Sequence, residues 1–280
     1  MSWRLASGID EFLERTGDFL RSRPGLHTTA LTVTEKMRVE GADGAVLGWL
    51  EAGGEVRGVY YRISADRGVS VTPLAPEHTD TLADHLIGLG QYVPAVTAER
   101  ATAVAFAEAW RQRTGAASTL RVELGLYRLG TLTPPDPFPA GRARPVGEAD
   151  HEHLMQWCRE LAAYFEEDVT INAETWASTR FGEKHYTYWE TPDGTTVSMA
   201  GANPLIGGQV RIDPVYTPAA LRGRGYGAAA TVTVSQAALD AGAEDVVLYT
   251  NLANPTSNAL YQRLGYRLLA EVAVYDFARA

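Results

Sequence analysis

Residues 222–227 read Arg222-Gly223-Arg224-Gly225-Tyr226-Gly227, three glycines at alternate positions interleaved with two arginines. Glycine carries no side chain to cover its backbone N–H, and it adopts the left-handed angles that tight turns need. At the start of a helix the first N–H groups have no intrahelical partner, and the helix dipole adds positive character there. Such an end is an anion site, and two guanidinium groups in the same turn add charge-assisted donors for phosphate. A plain turn would also use glycine, but the alternation with arginine exceeds what a turn requires. The chemistry implied is phosphate binding by main chain.

Other reactive residue types carry less. The lone cysteine, Cys158, falls on the apolar face of a helical pattern and reads as packing; alone, it can form neither an intrachain disulfide nor a cysteine metal site. His151 and His153 stand two apart and face different ways on a helix, so they make no metal pair. No metal is expected. Glu166, Glu167 and Asp168 form an acidic run that reads first as a solvated loop.

Two domains are comfortable in 280 residues, and 45% hydrophobic with 21% charged residues is ordinary for a globular protein. The formal charge of −9 argues against nucleic acid as the main partner. Arg4, Asp10 and Glu11 interrupt the first thirteen residues, unlike a signal peptide, and no apolar run approaches membrane-spanning length. A cytoplasmic location, without membrane contact, is the expectation.

The elements around the glycine turn follow from pattern. Helices are expected over 9–23, 26–37, 77–89 and 99–113, and strands over 45–50, 55–62, 68–74, 92–96 and 119–128, with Gly53-Gly54 as a hairpin turn. Pro134, Pro135, Pro137 and Pro139 crowd the next stretch, which no helix or central strand tolerates. This divides the chain into domains at 1–132 and 142–280 with a proline-rich linker at 133–141. In the second half a strand at 142–146 precedes a helix bearing Leu154, Trp157, Leu161 and Phe165, and a second helix is expected over 172–183. Strands at 185–190 and 195–200 flank Pro192-Asp193-Gly194. The strand at 209–216 leads into the glycine turn and a helix at 223–241, kept helical despite Thr231-Val232-Thr233-Val234 because alanines flank it. A strand at 245–250, an Asn254-Pro255 helix start, a Gly265 stop and a final strand or strand pair over 266–277 complete the pattern.

Two stretches in this order resemble the GCN5-related N-acetyltransferase (GNAT) superfamily. The first is Arg222 to Gly227 with the preceding Val215-Tyr216-Thr217-Pro218. The second is Asn254-Pro255-Thr256-Ser257-Asn258-Ala259-Leu260-Tyr261 with Gly265-Tyr266. The resemblance covers residues 142–277. It implies an α/β (α+β) fold with a mixed, mostly antiparallel sheet flanked by helices. The first half shares the order of elements and resembles the degenerate partner of tandem members; its equivalent turn, Pro73-Leu74-Ala75-Pro76-Glu77, has neither glycine nor arginine.

The resemblance further implies acetyl-CoA-dependent N-acetyl transfer to a primary amine of a small molecule or peptide. The pyrophosphate would lie on the N–H groups of Gly223, Arg224, Gly225, Tyr226, Gly227 and Ala228, near Arg222. The amide-bearing arm would pair along Val215, Tyr216 and Thr217. Asn254, Ser257, Asn258 and Tyr261 would face the cofactor, with Tyr261 the acid for the departing thiolate or simply a core tyrosine. Asp213 is the candidate base, on the same strand face as Arg211, whose charge would weaken it. Glu166, Glu167, Asp168, His185 and Tyr188 are candidate acceptor contacts. A homodimer is an open expectation.

Two other readings compete. Gly225-Tyr226-Gly227-Ala228-Ala229-Ala230 fits a dinucleotide fingerprint, but residues 217–222 separate it from the strand and Asp245 opens the next strand instead of closing it. A non-catalytic CoA or acyl-CoA sensor or assembly protein would keep the same binding loop.

Overall fold

The computed structural model describes residues 1–164 and 184–278. The chain separates into two compact units, one of Met1–Tyr127, Tyr249–Asn258 and Leu268–Ala280, the other of Arg128–Leu248 and Ala259–Arg267. The sequence reading assigns all of 142–280 to the second domain. The structure groups the last strand with the first unit instead, because that strand is hydrogen-bonded into the first unit's sheet.

In the first unit β1 (Ser2–Leu5), β2 (Val46–Ala52), β3 (Glu55–Arg62), β4 (Val69–Val71), β5 (Ala95–Glu99) and β6 (Ser118–Leu129) are joined by β12 (Tyr266–Phe277). Their order in the sheet is β1-β2-β3-β4-β5-β12-β6. The β2–β3 turn uses Gly53 and Gly54 at φ 63° and 82°, angles that suit the twist of a hairpin. Helix α1 (Ile9–Arg21) buries Phe12, Thr16 and Leu20, one face at a spacing of four, and α2 (Thr28–Glu40) follows. Pro76 opens α3 (Pro76–Gly88), and α4 (Arg100–Thr114) is capped by Glu99, whose carboxylate accepts from Thr102 N–H, and ends on left-handed Gly115. Leu82, Leu86, Val96, Phe106 and Trp110 form the core together with Ala273 and Phe277 of β12.

Strand β5 lies three residues beyond its expected place, since Pro94 has no N–H for a ladder. Pairing of β4 with β5 is parallel and brief, Val69↔Val96 and Ser70↔Thr97. Strand β1 carries no alternation that announces it; three of its four residues are exposed.

The second unit holds β7 (Arg142–Pro145), α5 (His151–Tyr164), β8 (His185–Glu190), β9 (Thr196–Ala202), β10 (Gln209–Tyr216), α6 (Tyr226–Asp240), β11 (Asp245–Asn251) as far as Leu248, and α7 (Pro255–Arg263) from Ala259 on. The sheet order is β11-β10-β9-β8-β7. Leu154, Trp157 and Cys158 of α5 pack on Tyr188, Met199 and Tyr216. Trp157 sets its ring edge-on to Tyr188 and Tyr216 at 5.6 and 5.7 Å, geometry the aromatic quadrupole favours. Helix α6 is helical through its Thr-Val run: Thr231 Oγ1 donates to Gly227 O and Thr233 Oγ1 to Ala229 O, and the surrounding face is buried. The expected helix at 172–183 and the acidic residues Glu166, Glu167 and Asp168 lie outside the described residues. Among the described residues no helix is long and apolar enough to cross a membrane.

Candidate active site

Strand β10 positions the site. Ile212 and Tyr216 are buried, while Arg211, Asp213 and Val215 alternate with them on the half-buried face. Its parallel pairing with β11 runs from Gln209↔Asp245 to Ile212↔Leu248 and stops there. On its other side it pairs with β9, but the register shifts between Ile212 and Val215, across Pro214, which has no N–H to give. Beyond Ile212, therefore, β10 pairs with β9 but not with β11 among the described residues, the kind of strand edge to which a ligand's amides can add.

That edge runs directly into the glycine turn. Ser198 Oγ donates to Tyr216 O (2.9 Å) and lies 2.9 Å from Thr217 Oγ1, fixing the strand end. Arg222 Nε donates to Thr217 O at 3.0 Å, folding the turn back on the strand. Gly223 and Gly225 have φ of 77° and 81°, where a side chain would be strained. Gly225 is the N-cap of α6, and it has no side chain to cap the N–H groups of Tyr226, Gly227 and Ala228. A Cβ on Gly227 would come within 3.2 Å of Thr217 Oγ1. The helix starts three residues later than its pattern suggests because these two left-handed glycines precede it. Arg222 and Arg224 are exposed beside this uncapped helix end.

Residues 148–266 match the family model for the acetyltransferase (GNAT) family. This stretch of the chain is a GNAT domain. Among solved structures, a GCN5-related N-acetyltransferase from Sphaerobacter thermophilus is 19% identical over 89% of this chain and 85% of its own, with a TM-score of 0.61. One from Kribbella flavida is 18% identical over 89% and 96%, TM-score 0.55. A tandem GNAT protein from the clavulanic acid biosynthesis pathway is 12% identical over 100% and 99%, TM-score 0.61. At these identities the likeness is one of fold: two GNAT-like domains in tandem. No curated protein matches the chain.

Within the GNAT domain, Tyr261 of α7 is buried, its ring edge-on to Tyr266 at 6.0 Å. Burial first, then Tyr266 and the charge of Asp213, push its phenol well above the usual tyrosine range, so it stays protonated. Asp213 is ion-paired with Lys184, a residue the sequence reading did not name. The lysine side chain is 6% exposed and the aspartate 46%, so the carboxylate reaches solvent while its partner does not. Ser198 was missed as well; each is found only through strand register or a fold-back that no motif records.

The other sequence candidates separate. His185 is exposed at the start of β8. Tyr188 is fully buried, bonded to His153 Nδ1 at 3.0 Å and lying under Arg144 at 5.3 Å, a packing position. The Tyr216 ring packs on α5 and its hydroxyl donates to Glu160 Oε2 at 2.5 Å; burial first, then that carboxylate, pushes its pKa up to about 12. Only its main chain serves the strand edge. Asn254 is the N-cap of α7, its Oδ1 accepting from Ser257 N at 3.1 Å. Asn258 Nδ2 approaches the carbonyls of Asn251, Leu252 and Asn254, and its Oδ1 is buried without a partner among the described residues. Residues 251–258 fall in the segment grouped with the first unit.

Proposed function

We propose that the GNAT domain transfers an acetyl group from acetyl-CoA directly to a primary amine of a small molecule or peptide. The observation that carries this is the continuity of β10: its parallel pairing ends at Ile212↔Leu248, and the unpaired edge leads straight to an uncapped, side-chain-free helix start. A ligand with amides behind a pyrophosphate fits that sequence of donors and acceptors. Val215 and Thr217 would hold the amide arm. The N–H groups from Gly223 to Ala228, with Arg222 and Arg224, would hold the phosphates. The first-unit turn at 73–77 offers no such cradle, since its helix begins on Ala75 and Pro76.

Bound acetyl-CoA supplies a thioester carbonyl for attack by an uncharged amine. Tyr261, kept protonated by burial, holds the proton that a departing thiolate requires. Asp213, the half-exposed carboxylate nearest in sequence to the strand edge, accepts the proton the amine must lose, directly or through water. The acidic composition of the chain suits a cationic acceptor.

The test is thiol release from acetyl-CoA in the presence of a panel of amines, paired with calorimetric binding of CoA. Amine-dependent release supports the reading. Tight CoA binding with no release for any amine would turn it into the sensor, and no binding at all would remove the cofactor site.

A further inference from the structure

The end of the proline-rich stretch, which belongs to the second unit, is packed against the glycine turn. Pro139 Cγ lies 3.5 Å from the position a Cβ on Gly225 would take, so the proline ring flanks the N-cap of α6. Gly141 presses on β8. A Cβ there would fall 2.3 Å from Glu190 O and 2.7 Å from Trp189 Nε1, and its φ of 145° favours glycine. Beside these two anchors Phe138 sets its ring edge-on to Trp189, 5.5 Å between centroids and 69° between planes.

Strand register carries this contact to the cofactor loop. Tyr188 packs with α5, so alternation turns Trp189 to the other face of the sheet, where α6 packs over β8, β9 and β10. Trp189 pairs with Ser198 of β9, and Ser198 Oγ reaches Tyr216 O and Thr217 Oγ1. A Cβ on Gly227 would come within 3.2 Å of that threonine hydroxyl. Trp189, Ser198, Thr217 and Gly227 thus form a row from β8 to the first turn of α6, and Phe138 stands at its β8 end. The unpaired edge of β10 faces the opposite way, toward β11.

The Phe138 ring is 43% exposed, whereas Trp189 beneath it is 5% exposed. An edge-on contact covers at most one face of the phenylalanine ring and leaves the other for a planar partner. We propose that this ring is the platform for the purine base of a bound CoA thioester, so that the site selects the nucleotide-bearing donor over a bare phosphopantetheine arm. The proposal rests on the cofactor reading above and extends it to the nucleoside. A cofactor with its amide arm on the β10 edge and its pyrophosphate on the glycine turn meets the linker at its nucleoside end. A base offers a flat π face to an aromatic side chain whatever its ring substituents, and phosphopantetheine has no ring to offer.

The experiment is calorimetric titration of the full chain with CoA and, separately, with 4′-phosphopantetheine. Phe138→Ala and Phe138→Leu should each weaken CoA about five- to hundredfold, the range that stacking of one base on an aromatic ring provides. Both should change phosphopantetheine affinity less than about twofold, within the scatter of an untouched contact. Leucine keeps an apolar contact on Trp189 but has no π face, so it separates stacking from packing, and Phe138→Trp should retain CoA affinity. Unchanged CoA affinity in the alanine or leucine variant, or an equal loss for both ligands, would overturn the purine platform while leaving the phosphate loop standing. Binding of neither ligand by the unaltered chain would remove the cofactor site itself, and the platform with it.

Discussion

Tyr261 and Asp213 differ in what surrounds them, and that difference suits the acid and base roles proposed for them. The tyrosine is buried with its proton held; the aspartate is half exposed beside an ammonium. Tyr261→Phe keeps the ring against Tyr266 and loses only the hydroxyl. It should leave acetyl-CoA affinity unchanged and lower kcat at least about a hundredfold, the lower end of what a positioned acid contributes. Steady-state kinetics and calorimetry on the same variant separate the two. Asp213→Asn deprives the buried Lys184 of its carboxylate and should destabilise the fold by about 1–3 kcal/mol. Adding Lys184→Met removes the charge as well and should recover most of that loss in urea unfolding. A third residue sets acid stability. Arg144 and the Gly147 N–H hold the Asp150 carboxyl down to about 2, against 3.8 for the ordinary group. A depressed carboxyl contributes stability above its unfolded value and loses it as the pH falls toward the folded one. The urea midpoint should therefore fall between about pH 4 and pH 2, and Asp150→Asn should flatten that slope.

At the scale of elements, the glycine turn works because its backbone conformation is unavailable to most residues. Gly225 sits at φ 81° with its nearest neighbour, Pro139 Cγ, 3.5 Å from an added Cβ, so space is not the constraint; the angle is. Gly225→Ala should cost about 1 kcal/mol in stability, from the positive φ alone, and should weaken CoA binding as the N-cap relaxes, both measurable on one sample by urea unfolding and calorimetry. The turn and helix start were legible in the sequence because alternating glycines mark a backbone that most residues avoid. Helix α6 was legible for a different reason, since alanine propensity around residues 231–234 outweighs the β-branched pairs and the threonines bond back to the preceding turn. Lys184 and Ser198 were not legible. Ser198 meets Tyr216 and Thr217 through the β9–β10 pairing, whose register shifts at Pro214, and a shift of one residue changes every facing partner.

At the scale of the chain, the placement of β12 was the feature that local pattern did not disclose. Alternation marks residues 266–277 as a strand, but nothing in a strand's own sequence names its neighbour. In the first unit β12 pairs antiparallel with β5, from Val272↔Glu99 to Asp276↔Ala95, and stands between β5 and β6. Ala273 and Phe277 enter the core, where the Phe277 ring lies 6.0 and 6.2 Å from Trp110 and Phe106. Arg121 of β6 closes an ion pair on Asp276 of the same strand. A fragment ending at residue 132 therefore lacks an inner strand of its sheet. It would expose the β5 edge and the apolar faces of Trp110 and Phe106 to water, and an exposed edge of that kind promotes association. The fragment 1–132 should consequently give poorly dispersed amide resonances and aggregate. Fusing residues 266–278 to it through a flexible linker should restore dispersion and a cooperative unfolding transition. A well-dispersed, cooperatively folding fragment 1–132 without the added strand would show that β12 is dispensable to the first unit.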